Sequence, residues 1–235
     1  MPPQSTSRHP PMTDEVRCVT EAEGAFGKGE FESALRWYGR VLEFNPNNAG
    51  AWAGQVKSLI ELGQFKEANV WADKALERYP EAPELLAAKA VALGRLGRPA
   101  EAMPFSDAAL ERPGEIAWVW LARGDVLLSA GQKQVDACFD RAMRLAPGDW
   151  LVRWLAARIR AYWKQFALAL KHVREAVSLA PDHVAAVARH AVAHGALKRG
   201  VAPGTQAGVE VGREVGAVDG AEGRGHRPAA GVGQP

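Results

Sequence analysis

Cysteine is nearly absent from the 235-residue chain: only Cys18 and Cys138 occur, far apart. That excludes a disulfide framework and a cysteine-rich metal centre, and it points to a reducing compartment, taken here as the cytoplasm. No run of 18 apolar residues exists, so no helical membrane span is expected. The opening stretch MPPQSTSRHPPM has no apolar core and does not read as a secretory leader. No G-x-S-x-G and no G-x-x-x-x-G-K-[ST] is present, so the nucleophile elbow and the phosphate loop are both missing. His190 and His194 lie one helical turn apart, but no His-Glu-x-x-His forms, because Ala191 follows His190. No enzyme activity, no cofactor and no metal is therefore expected. Residues 201–235 contain no Leu, Ile, Phe, Tyr, Trp or Met and cannot build an ordinary core.

Net charge is also small, +2, but it is unevenly placed. Residues 1–147 carry 17 Lys and Arg against 20 Asp and Glu, whereas residues 148–200 carry 9 against 3. The basic C-terminal part favours an acidic partner. Scattered Arg on helices is weak support for nucleic acid, which is not expected as a partner.

What the chain does have is a period. Gly29, Gly63, Gly97 and Gly131 are each 34 residues apart. Ala34, Ala68 and Ala102 keep the same step, as do Leu42, Leu76 and Leu110. Pro46 precedes Pro80 by 34, and Pro147 precedes Pro181 by 34. Between these marks, apolar residues recur every three or four positions. Trp52, Val56, Leu59 and Ile60 form one stripe, and Phe65, Ala68, Ala72, Ala75 and Leu76 form another. Each unit therefore reads as two amphipathic helices meeting at a glycine and closed by a proline. A unit that cannot bury its own apolar face stacks on its neighbours.

Over roughly residues 15–198 the chain resembles the tetratricopeptide repeat family. The matching residues are Trp52, Ala68, Ala75 and Pro80; Ala34, Tyr38 and Pro46; Trp120, Gly124, Ala142 and Pro147; and Ala169, Ala176 and Pro181. The resemblance implies an all-α fold: a right-handed superhelix of about five helix pairs plus one extra helix, with a concave binding groove. The expected division is a disordered segment 1–13, an array over 14–198 and a disordered Gly/Ala/Val-rich tail over 199–235. Within the array the units fall at about 14–48, 49–82, 83–116, 117–149, 150–183 and 184–198.

Three departures carry structural expectations. Pro104 interrupts a second helix and should kink it, leaving the third pair the loosest of the middle ones. The turn after Gly131 is one residue short. Lys164 replaces the turn glycine, so a left-handed turn there should be strained or absent.

In such repeats the first helix of each pair lines the groove. Phasing places Glu23, Lys57, Glu61, Arg95, Trp118, Asp125, Trp154, Arg158 and Tyr162 on that face. Lys57, Arg95, Trp118, Asp125, Trp154, Arg158 and Tyr162 are the candidate partner-binding set. Trp118, Trp154, Arg158 and Tyr162 have two open readings, recognition in the groove and packing between helices. Trp52 and Trp120 read as packing. The Lys/Asn/Arg set with which some family members clamp a terminal carboxylate is not formed.

The expected function is an adaptor that holds a peptide or a partner helix. The alternative is a regulatory arm of a larger enzyme or transport assembly, cut or frame-shifted after about residue 198. Every tail residue except Thr205 can be encoded by a codon starting with G or C, which favours a frame slip in a GC-rich gene. Self-association through an uncapped C-terminal repeat is a further expectation.

Overall fold

The computed structural model describes residues 14–112 and 115–185. The expectations for the N-terminal segment, His190, His194 and the tail lie outside them. So does all of the sixth unit beyond residue 185.

Ten helices follow one another: α1 (Asp14–Gly27), α2 (Phe31–Phe44), α3 (Ala49–Glu61), α4 (Phe65–Arg78), α5 (Pro83–Arg95), α6 (Pro99–Glu111), α7 (Ala117–Ser129), α8 (Val135–Leu145), α9 (Trp150–Tyr162) and α10 (Phe166–Leu179). No strand occurs among the described residues. The architecture is all-α, a superhelix of consecutive antiparallel pairs. The first helices of successive pairs lie side by side, and each second helix packs on its own first helix.

The turn inside each pair repeats one chemistry. Gly63 donates its N–H to Ile60 O at 2.9 Å and Gln64 to Leu59 O at 2.9 Å. These two bonds satisfy the last carbonyls of α3, and they require a left-handed residue at Gly63. Gly29, Gly63, Gly97 and Gly131 all take φ between 66° and 77°. The fifth pair makes the same turn with Lys164 at φ 61°. Gln165 donates to Arg160 O at 2.8 Å there, so the turn survives the lysine at a cost in strain. At the start of helices, Asn48 Oδ1 accepts from Ala51 N at 2.9 Å, and Asp149 Oδ1 accepts from Leu151 N at 2.8 Å. Pro83 and Pro99 open α5 and α6, where a missing N–H costs nothing.

Small residues set the close approaches. Ala34, Ala68 and Ala102 are fully buried where paired helices meet. Val135, one residue early, fills the equivalent place in the shortened fourth pair and is buried. A Cβ on Gly54 would lie 2.2 Å from the Tyr38 ring, so only glycine lets α2 approach α3 here.

The third pair is not loose. Helix α6 runs unbroken through Pro104, which points to solvent, where the carbonyl it frees meets water. Helix α5 is buried from Leu85 to Gly94 without a gap. Packing on both sides outweighs the local loss of one hydrogen bond.

Candidate functional site

The first helices place the phased residues on one inner layer, and most of them meet each other. Arg95, at the end of α5, makes a bidentate pair with Asp125 of α7: Nε lies 2.9 Å from Oδ1, and Nη2 lies 2.8 Å from Oδ2. Both side chains are nearly buried, 8% and 3% exposed. Trp163 Nε1 donates to the same carboxylate at 2.7 Å. The guanidinium is stacked 3.6 Å above the Tyr162 ring, with Phe65 and Trp163 each 5.7 Å away. A planar cation between rings, with its donors on a carboxylate, satisfies charge and desolvation together.

Arg158 of α9 reaches further. Its Nε lies 2.8 Å from Glu61 Oε2, and its Nη2 donates to Glu61 O at 2.6 Å. These partners are 97 residues apart in sequence. The Arg158 guanidinium also sits 5.4 Å from the Phe31 ring, and Tyr162 meets Phe65 edge-on at 5.9 Å. The fifth pair thus touches the turns of the first and second pairs. One continuous apolar cluster accordingly joins Phe26, Phe31 and Tyr38 to Leu121, Phe139 and Leu155. Trp118 and Trp154 pack against it, half-buried.

Lys57 of α3 is the third cation. It pairs with Glu84 Oε1 at 2.7 Å and lies over Phe26 at 5.4 Å and Trp118 at 5.3 Å. Trp154 differs from the rest, since its Nε1 is buried with no hydrogen-bond partner. Arg158 and Tyr162 keep solvent-facing area; Tyr162 is 45% exposed. Glu23 is exposed on α1.

All seven candidate residues therefore lie on the first helices, as the phasing expects. Five of them, Lys57, Arg95, Asp125, Arg158 and Tyr162, carry ion-pair or stacking contacts within the chain. Sequence reasoning missed Phe31, Phe65, Glu84 and Trp163. Phe31 and Phe65 carried a usable signal: they stand 34 residues apart at the first position of a second helix. Trp52 and Trp120 are packing residues. Trp52 stacks on Trp71 at 5.6 Å, and its Nε1 donates to Pro46 O at 2.9 Å. Trp150 stacks on His183 at 5.7 Å.

A polar cavity of about 370 Å³ opens elsewhere, between α8, α9 and α10, lined among others by Asp140, Arg153, Lys171, His172 and Glu175. Arg153 is spent on Glu175 at 3.7 Å and on the carbonyls of Ala146 and Asp149. Burial pushes the His172 imidazole below its ordinary range, against a smaller upward pull from Glu175. Burial likewise pushes the Cys138 thiol up, so it is a poor nucleophile. Among the described residues, no group of three His, Cys, Asp or Glu could hold a metal ion, and no helix is long and apolar enough to cross a membrane.

A family model described as tetratricopeptide repeat matches residues 25–92. No curated protein sequence matches the chain. Among solved structures, the chain is similar to TTC0263, a thermophilic tetratricopeptide repeat protein of Thermus thermophilus, with 21% identity and a TM-score of 0.56 over 76% of this chain and 98% of that one. It is also similar to YrrB, described as a tetratricopeptide repeat protein with an unusual peptide-binding site, at 25% identity and TM-score 0.41, over 76% of this chain and 91% of that one. A MamA structure aligns at 17% identity and TM-score 0.41, covering 70% and 91%. The chain is thus similar to the tetratricopeptide repeat model over residues 25–92, and its helix pairs share the fold of the Thermus protein.

Proposed function

We propose that this protein-interaction module takes an acidic, extended peptide or the acidic face of a partner helix along the inner layer of α3, α7 and α9. The observation that carries the reading is Arg158. Its guanidinium holds a carboxylate and a backbone carbonyl from a distant part of the chain, and it still keeps a third of its side chain exposed. A peptide offers that same pair of acceptors. Lys57, half-buried between two rings, supplies a second cation on the same layer. Arginine and aromatic side chains are the usual anchors of such recognition. The reading keeps the chain in the cytoplasm, where its two buried thiols stay free.

The test is a fluorescence-anisotropy screen of the full chain against a peptide library graded from acidic to neutral. Acidic peptides are expected to bind, and Arg158→Ala is expected to weaken them by about 2 kcal/mol or more with the circular dichroism unchanged. Glu61→Gln frees Arg158 and is expected to tighten binding. Equal affinity in wild type, Arg158→Ala and Lys57→Ala removes the site from this face.

A further inference from the structure

Five of the nine large apolar side chains exposed among the described residues lie on one helix, α10: Phe166, Leu168, Leu170, Val177 and Leu179. Phe166, Leu170, Val173 and Val177 follow helical spacing and form one stripe. Phe166 is 66% exposed, Leu170 48% and Val177 41%; Val173 is half-buried. The register says what this stripe is for. Aligning Ala169 with Ala34 and Ala68 makes it equivalent to Phe31, Leu35, Tyr38 and Leu42 on α2, and to Phe65, Asn69, Ala72 and Leu76 on α4. In α2 and α4 those residues are buried or half-buried, because the first helix of the next unit lies on them. Tyr38, in the place of Val173, sits directly on Gly54 of α3.

The receiving side also repeats. On α3 it carries Gly54 and Ser58, on α5 Ala88 and Ala92, and on α7 Ala122 and Val126, all buried. The same two register positions on α1 are Thr20 and Gly24, and both are exposed. A Cβ built on Gly24 meets nothing within 4 Å. Helices α1 and α10 thus carry the two halves of a contact that the chain makes between its own units, one half with large side chains and the other with small ones.

Charge matches as well. Helix α1 bears Asp14, Glu15, Glu21 and Glu23 against Arg17 alone. Around the α10 stripe Lys164, Lys171 and Arg174 are exposed, while Glu175 is paired with Arg153.

We infer that the α10 stripe docks α1 of a second copy of this chain, continuing the 34-residue stack from one molecule into the next. The contact is head-to-tail, so it leaves one free end on each side and grows into open chains. It uses no residue of the inner-layer site and stands whether or not that site binds a peptide.

Sedimentation velocity of the full chain, from micromolar to near-millimolar, tests this. The weight-average mass is expected to rise with concentration above the 25.3 kDa of one chain, without a plateau at two. Added salt is expected to lower it. Leu170→Glu blocks the donating end and Thr20→Arg blocks the receiving end. Both replace exposed side chains, so the circular dichroism should not change. Each variant alone is expected to stay monomeric, and an equimolar mixture is expected to form a dimer and nothing larger, since one intact end of each kind remains. A monomer at every concentration overturns the inference and assigns the stripe to the chain's own residues beyond 185. A dimer of Leu170→Glu alone overturns it in favour of a symmetric contact, and a monomeric mixture overturns the pairing of these two faces.

Discussion

Removing the charge of Asp125 tests whether the inner layer is held by its ion pairs or only by apolar contact. Asp125 is almost fully buried; it accepts three bonds from Arg95 and one from Trp163. In Asp125→Asn the amide oxygen still accepts from Trp163, but the Arg95 guanidinium is left buried without a counter-charge. Its rings at 3.6 and 5.7 Å soften the loss without neutralising it. Breaking a buried pair from one side costs about 3–5 kcal/mol. Against a total stability of about 5–15 kcal/mol, that is a large fraction. At about 2–4 °C per kcal/mol for a domain of this size, the thermal midpoint should fall by about 6–20 °C. Arg95→Met should cost a similar amount, because it strands the carboxylate. The double variant should recover most of the loss, since methionine fits between the rings and no buried charge remains. Urea unfolding of the four proteins closes a double-mutant cycle, with an expected coupling of at least about 2 kcal/mol. Single costs below about 1 kcal/mol that simply add would show that the pair is screened by water, and that the inner layer owes its closure to the aromatic rings.

Lys164 takes a left-handed φ that glycine adopts freely at the four equivalent turns. Lys164→Gly is therefore expected to stabilise by about 1 kcal/mol, read as a higher urea midpoint at unchanged slope; a lower midpoint refutes the strain. His172 supplies a pH signature. Burial lowers its folded pKa below the ordinary 6.5, with Arg160 and Lys171 adding a push in the same direction and Glu175 opposing it. The unfolded state then takes the proton more readily. The stability due to neutral His172 is complete above about pH 6.5 and is lost as pH falls below it toward the folded pKa. His172→Leu should flatten the urea midpoint between pH 7.5 and 5 relative to wild type, whereas parallel profiles would place the titration elsewhere.

The helix pairs were legible in the sequence because their cause is local and repeated. A glycine every 34 residues supplies four of the five left-handed turns, an alanine admits the paired helix at the close approach in four of the five pairs, and three- and four-residue spacing draws each apolar stripe. Even the face of Lys57, Arg95, Asp125, Arg158 and Tyr162 follows from counting, since helical phase needs no partner. What counting could not supply is where one unit meets another that is not its neighbour. Arg158 finds Glu61 across 97 residues, and Arg95 finds Tyr162 and Trp163, because stacked pairs turn the fifth unit back toward the second. That turn is the sum of small rotations at every interface, such as the approach of Tyr38 to Gly54. Pro104 makes the same point in the other direction. Its local rule called for a weakened pair, but burial of the whole of α5 outweighs one lost hydrogen bond. Local rules set each helix and each turn, while the closure of the inner layer is a long-range consequence of packing that only the tertiary structure decides.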